Sequence, residues 1–139
     1  MRTACLINNY NYEQYVVDAV QSALNQTVSF DEIIVVDDGS VDGSVERLRQ
    51  SYDAHPVVKI ICKENGGQLS CFQAGLSAST SDVIFFLDAD DLYRETYLEN
   101  ALGVYRKLKC DFLFCSHEDF TATDEKVRSH YDRTIDLGY

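Results

Sequence analysis

Short apolar runs alternate with helix-period stripes along most of the chain, and no other feature constrains the fold as much. Ala4 to Ile7, Ile33 to Val36, Val57 to Cys62, Val83 to Leu87 and Phe112 to Cys115 have strand length and bury well as strands. Between them, Val16, Val20, Ala23 and Leu24 share one helical face. Val41, Val45, Leu48 and Tyr52 repeat at helical spacing, as do Leu69, Phe72 and Leu76, and then Leu98, Ala101, Leu102 and Tyr105. The order reads β-α-β-α-β-α-β-α-β. Helices between consecutive buried strands require crossover connections. The expected class is therefore α/β, a mostly parallel sheet flanked by helices on both faces.

The 139 residues suit one domain, since domains cluster near ~100–150 residues. The alternating pattern occupies residues 1–116. The remainder, 117–139, reads as an acidic tail in which Val127, Tyr131 and Ile135 form at most one weak helical stripe. Lys and Arg number 12 against 23 Asp and Glu, a net charge of −11. That balance excludes a module that binds nucleic acid through a basic footprint, and a surface that adheres to anionic lipid. A nucleotide ligand remains open if a metal or backbone amides meet its phosphates. The longest apolar run, Val83 to Leu87, is too short to span a membrane, and the N-terminus carries no signal-peptide pattern. The expected location is cytoplasmic, with the inner face of a membrane as the one membrane location left open. Five cysteines, none in a C-x-x-C pair, read as reduced and mostly buried thiols.

Three strands end in polar clusters: Asn8-Asn9-Tyr10-Asn11, Asp37-Asp38-Gly39-Ser40 and Asp88-Ala89-Asp90-Asp91. In an open parallel sheet, ligands bind beyond the carboxyl ends of the strands, so the three should converge on one edge. Three carboxylates within Asp88–Asp91 repel one another unless a cation intervenes, and a hard divalent ion suits oxygen ligands. The same residues read equally as an acidic turn that caps the next helix. Asp37-Asp38 can accept donors from a heterocyclic base or a ribose, and Ser40 or Asp42 can cap the helix that follows. Asn65-Gly66-Gly67-Gln68 precedes a helix, and its glycines permit close approach of the backbone to a ligand. It is neither a dinucleotide fingerprint nor a P-loop. His55, His117 and His130 stand in polar segments and read as surface residues. Tyr10 can stack on a base, and Tyr15 reads as a packing residue.

Taken together, these pieces resemble the nucleotide-sugar-binding portion of a family 2 glycosyltransferase with the GT-A fold. The matching segments are Leu6-Ile7-Asn8-Asn9-Tyr10-Asn11 with Gln26-Thr27, Val35-Val36-Asp37-Asp38-Gly39-Ser40-Val41-Asp42-Gly43-Ser44, Asn65-Gly66-Gly67-Gln68 with Ala74-Gly75, and Phe86-Leu87-Asp88-Ala89-Asp90-Asp91. The resemblance runs from about Thr3 to His117. It implies a Rossmann-like sheet and an inverting transfer of sugar from a nucleoside-diphosphate sugar, with a UDP-sugar favoured. The acceptor would be a sugar or lipid-linked hydroxyl in cell-surface polysaccharide or glycoconjugate synthesis. Asp88-Ala89-Asp90 matches the D-x-D signature that holds Mn²⁺ or Mg²⁺ on the diphosphate. Asp90 would be the direct ligand, with Asp88 reaching the ribose or a metal-bound water. Asp38 would recognise the base, Asn8 and Tyr10 would line its pocket, and Gly66, Gly67 and Ala89 would lie against the donor.

No residue matches the family's Asp or Glu general base, and Glu118 and Asp119 come too early for it. The resemblance thus covers the donor half and stops before the acceptor half. Apolar surface at that edge would favour a homo-oligomer. Three other readings stay open: a protein that binds a nucleotide sugar without transferring it, a receiver domain phosphorylated on Asp, and a phosphatase of the haloacid dehalogenase type.

Overall fold

The computed structural model describes residues 1–115. Eight elements follow one another: β1 (Thr3–Asn9), α1 (Val16–Leu24), β2 (Glu32–Asp37), α2 (Ser44–Tyr52), β3 (Val58–Cys62), α3 (Gln68–Ala78), β4 (Val83–Asp88) and α4 (Tyr97–Leu108). The strands form one parallel sheet in the order β3-β2-β1-β4. The chain separates into two compact units, Met1–Lys109 and Cys110–Tyr139. No helix among the described residues is long and apolar enough to cross a membrane.

The sheet buries both faces because successive strand side chains point to opposite sides. Cys5, Ile7, Ile33 and Val35 meet Val16, Ala19 and Val20 of α1, Leu48 of α2, and Leu98 and Leu102 of α4. Leu6, Ile34 and Val36 face the other way, onto Cys71 of α3. Gly75 lets α3 lie that close, because a Cβ there would collide with the Leu6 side chain.

Several expectations fail in detail, each for a physical reason. Phe112 to Cys115 is not a fifth strand: no described strand pairs with it, and Phe112 and Phe114 are 71% and 84% exposed. A short apolar run becomes a strand only where a neighbouring ladder accepts it. The α3 stripe is offset from the expected one. Cys71 and Gly75 are buried, while Leu69 and Leu76 are exposed, because the close contact at Gly75 sets the rotation of the helix. Val41 precedes α2 and is exposed; Asp42 Oδ1 accepts the Ser44 N–H at 3.0 Å, so the helix opens after it. Ser40 does not cap α2 but ties neighbouring loops together. β4 lies at the edge of the described sheet and buries only Leu87, so it is not the fully buried strand expected. Cys62 and Cys115 are exposed, so the thiols are not mostly buried; all five cysteines are free. Tyr15 is half-exposed rather than packed. His117, His130 and the expected tail stripe lie outside the described residues.

Candidate functional site

Register brings the polar clusters together. Asn8 pairs with Asp88 across β1 and β4, and Asn9 with Asp37 across β1 and β2. Beyond these ends lies a cavity of about 320 Å³. Of the residues expected from sequence, Asn8, Tyr10, Asp38, Gly67, Asp88, Ala89 and Asp90 line it; Gly66 lies in its rim turn and Asp91 is not on its wall. Asn9, Tyr12, Asn65, Gln68 and Cys71 also line it.

The β1 and β2 loops are laced into a single wall. Asp37 is 1% exposed and accepts hydrogen bonds from Asn9 Nδ2 at 2.7 Å, Ser40 N–H at 2.9 Å and Ser40 Oγ at 2.6 Å. Ser40 Oγ in turn accepts the Asn11 N–H at 2.8 Å, and Asn11 Oδ1 accepts the Val41 N–H at 2.8 Å. With Asn9 facing Asp37, the orientation of its amide is settled: the NH₂ must meet the carboxylate, which only accepts. The Oδ1 atoms of Asn8 and Asn9 are buried without a partner, at the end of β1 that meets the cavity.

Asp38 organises the opposite wall. Its Oδ1 accepts from Lys63 Nζ at 2.5 Å and the Gly66 N–H at 3.0 Å, and its Oδ2 from the Gly67 N–H at 2.7 Å. Burial pushes the Asp38 carboxyl up, but the Lys63 ammonium and the two glycine N–H groups outweigh it and hold the group below the usual carboxylate range. The glycine N–H groups are thus donated to Asp38 rather than offered to the cavity. Gly67 has φ of 82°, a left-handed conformation that favours glycine. Lys63 Nζ also donates to Glu64 O at 2.6 Å and Ser70 Oγ at 2.7 Å, so all three of its protons are engaged. Burial, and after it the charge of Asp38, pushes the Cys71 thiol up to about 11, which leaves this part of the wall neutral.

The turn after β4 presents the acids. Ala89 is 1% exposed and packs into the core, whereas Asp88 and Asp90 on either side of it are exposed and line the cavity. The Asp91 N–H closes the turn onto Asp88 O at 3.0 Å. Gln68 Nε2 donates to Asp88 Oδ1 at 2.9 Å. Among the described residues no three His, Cys, Asp or Glu side chains gather closely enough to hold a metal unaided. Two carboxylates nevertheless fit a hard divalent ion that takes its other ligands from phosphate and water.

Sequence reading did not single out Lys63, Asn9 or Gln68. Asn9 and Gln68 stand in the Asn8–Asn11 and Asn65–Gln68 segments, but nothing in their spacing shows that Asn9 reaches Asp37 or that Gln68 reaches Asp88.

The chain matches the sequence profile described as glycosyl transferase family 2 over residues 5–136, beyond the expected end at His117. It is 40% identical over 107 residues to an uncharacterized glycosyltransferase of Nostoc, covering 76% of this chain and 33% of that protein. It is 36% identical over 98 residues to chondroitin synthase of Escherichia coli, covering 70% of this chain and 14% of that protein. The chain thus spans a third or less of these relatives. Among solved structures, S. aureus TarS 1–349 in complex with UDP superposes with a TM-score of 0.68 at 23% identity, covering 77% of this chain and 32% of that one. The mannosyltransferase PcManGT of Pyrobaculum calidifontis, in complex with GDP-Man and Mn²⁺, gives 0.66 at 24%, covering 75% and 32%. The likeness to both is one of fold, the GT-A arrangement expected from the strand-end motifs. The receiver and phosphatase readings give way to the profile match, which takes in all the strand-end clusters: the chain belongs to glycosyl transferase family 2.

Proposed function

We propose that the cavity binds a nucleoside-diphosphate sugar with Mn²⁺ or Mg²⁺, and that this chain forms the donor side of an inverting glycosyltransferase. One observation carries the reading. The Asp88-Ala89-Asp90 turn buries its middle residue and leaves Asp88 and Asp90 exposed on the wall of the cavity that Asn8, Tyr10 and Asp38 also line. Without a cation those carboxylates would repel a diphosphate.

Asp88 and Asp90 would hold the metal. It would offset the negative charge that develops on the departing nucleoside diphosphate. Tyr10, 46% exposed at the cavity, offers a ring face for a base to stack on. Asp38 accepts from Lys63, Gly66, Gly67 and the Cys71 thiol, a network that would fix its carboxylate where it meets the base. Asn8 Oδ1, buried and without a partner at the end of β1, is a further acceptor at this edge. Relatives named chondroitin synthase and hyaluronan synthase, and one named for teichuronic acid biosynthesis, support a role in cell-surface polysaccharide synthesis. A sugar or lipid-linked hydroxyl is then the acceptor. UDP is the favoured nucleotide, with GDP the main rival in view of PcManGT.

Calorimetry tests the reading. UDP or GDP should bind with Mn²⁺ present and lose most of its affinity in EDTA. Equal affinity in both would remove the metal from the site.

A further inference from the structure

Gln68 is the first residue of α3, and its amide reaches the last residue of β4. Nε2 donates to Asp88 Oδ1 at 2.9 Å. Among the described residues, Gln68 is the side chain that donates to the Asp88 carboxylate. Glutamine–aspartate contacts on a surface usually contribute little, and both residues here are exposed. Two features set this one apart.

The first is how firmly the backbone of Gln68 is held. Gly67, just before it, gives its N–H to Asp38 Oδ2 at 2.7 Å, and its carbonyl accepts from Ser70 Oγ at 2.7 Å. Lys63 Nζ joins Asp38 to Ser70 across the turn. Buried Cys71 and Gly75 then seat α3 on the sheet. The side chain of Gln68 therefore starts from a fixed point rather than a loose loop. The second is its target. Asp88 is one of two carboxylates offered to a cation, and an exposed carboxylate otherwise samples several rotamers.

We infer that Gln68 is a positioning residue: it holds Asp88 in the orientation that receives the divalent cation, and the Asp38–Lys63 network holds Gln68 in place. This rests on the donor-site reading above. Hydrogen-bond partners behind metal-ligating side chains commonly set metal affinity by ~10–100-fold. Gln68 has the same relation to Asp88.

The test uses the full chain and its Gln68→Met variant, which keeps length and removes the amide. Free Mn²⁺ is followed by electron paramagnetic resonance in the presence of whichever of UDP and GDP binds. Nucleotide affinity in EDTA is measured separately by calorimetry. Gln68→Met should weaken Mn²⁺ binding about tenfold or more, while nucleotide affinity in EDTA and the melting temperature stay close to wild type. An unchanged Mn²⁺ constant overturns the proposal. So does a parallel loss of nucleotide affinity in EDTA, which would make Gln68 a direct donor contact. Wild-type protein whose nucleotide binding ignores Mn²⁺ overturns the donor-site reading itself, a result separable from any effect of the variant.

Discussion

Lys63 Nζ lies 2.5 Å from Asp38 Oδ1, and the pair joins the end of β2 to the turn that opens α3. The Lys63 side chain is 24% exposed and that of Asp38 5%, so water screens the pair only partly. Removing the ammonium leaves a buried carboxylate with two backbone donors. Lys63→Met should therefore cost about 2 kcal/mol of stability, read by urea unfolding at neutral pH. No loss would mean that the backbone donors alone satisfy Asp38.

The same carboxylate gives a pH signature. Asp38 is held below its ordinary value in the fold, so the unfolded chain binds its proton more readily. Its stabilising contribution is complete above the unfolded value, about pH 4. It is lost as pH falls through the lower, folded value. Asp38→Asn should flatten that part of the acid limb of a stability-against-pH curve. An unchanged limb would place the acid sensitivity on other carboxylates, such as Asp31 and Glu32, which are also held low.

Asp90 is exposed and lines the cavity. Asp90→Ala should therefore leave thermal stability nearly unchanged, within about 0.5 kcal/mol, and abolish the Mn²⁺-dependent part of nucleotide binding. Calorimetry and a thermal melt on the same sample separate the two. Retained metal dependence would put the cation elsewhere.

Gly75 and Leu6 are coupled by contact, since a Cβ on Gly75 would collide with the Leu6 side chain. Gly75→Ala should cost about 1–3 kcal/mol through overpacking. Leu6→Ala alone should cost about 2–5 kcal/mol. The double variant should cost less than the sum, because the smaller residue leaves room for the new methyl. Strict additivity would mean that α3 shifts away rather than pressing on Leu6.

Thiol chemistry offers a check on burial. Cys62 and Cys115 are exposed, whereas Cys5 and Cys71 are buried and burial pushes both thiols up. A disulfide reagent should modify Cys62 and Cys115 within the native protein. Cys5 and Cys71 should react only on unfolding, as peptide mapping would report.

The sheet was legible because its two central strands, β1 and β2, are buried on both faces and each strand reads as a short, mostly apolar run. Ile33-Ile34-Val35-Val36 admits no other element between two helical stripes. The D-x-D turn was legible for a related reason: acids crowded at the end of an apolar strand repel one another and are unfavourable without a purpose. Phe112-Leu113-Phe114-Cys115 shows where that logic fails. Composition permits a strand, but only a neighbouring ladder makes one, and no described strand supplies it. The α3 stripe fails in part: Phe72 packs against the core as expected, but Leu69 and Leu76 do not, because close contact at Gly75 sets the rotation of the helix.

By itself, then, the sequence determined the element order, the parallel α/β class and the cluster of acids at the strand ends. These follow from local periodicity and from the cost of burying polar groups. The tertiary structure alone decided which partners each acid takes. Asp37 and Asp38 are neighbours with identical side chains. One is tied to Asn9 and Ser40 within the β1–β2 wall, and the other to Lys63, Gly66 and Gly67 beneath α3. Those partners lie between 3 and 29 residues away along the chain. A hydrogen bond depends on distance and direction in space, and no local pattern in the chain encodes either.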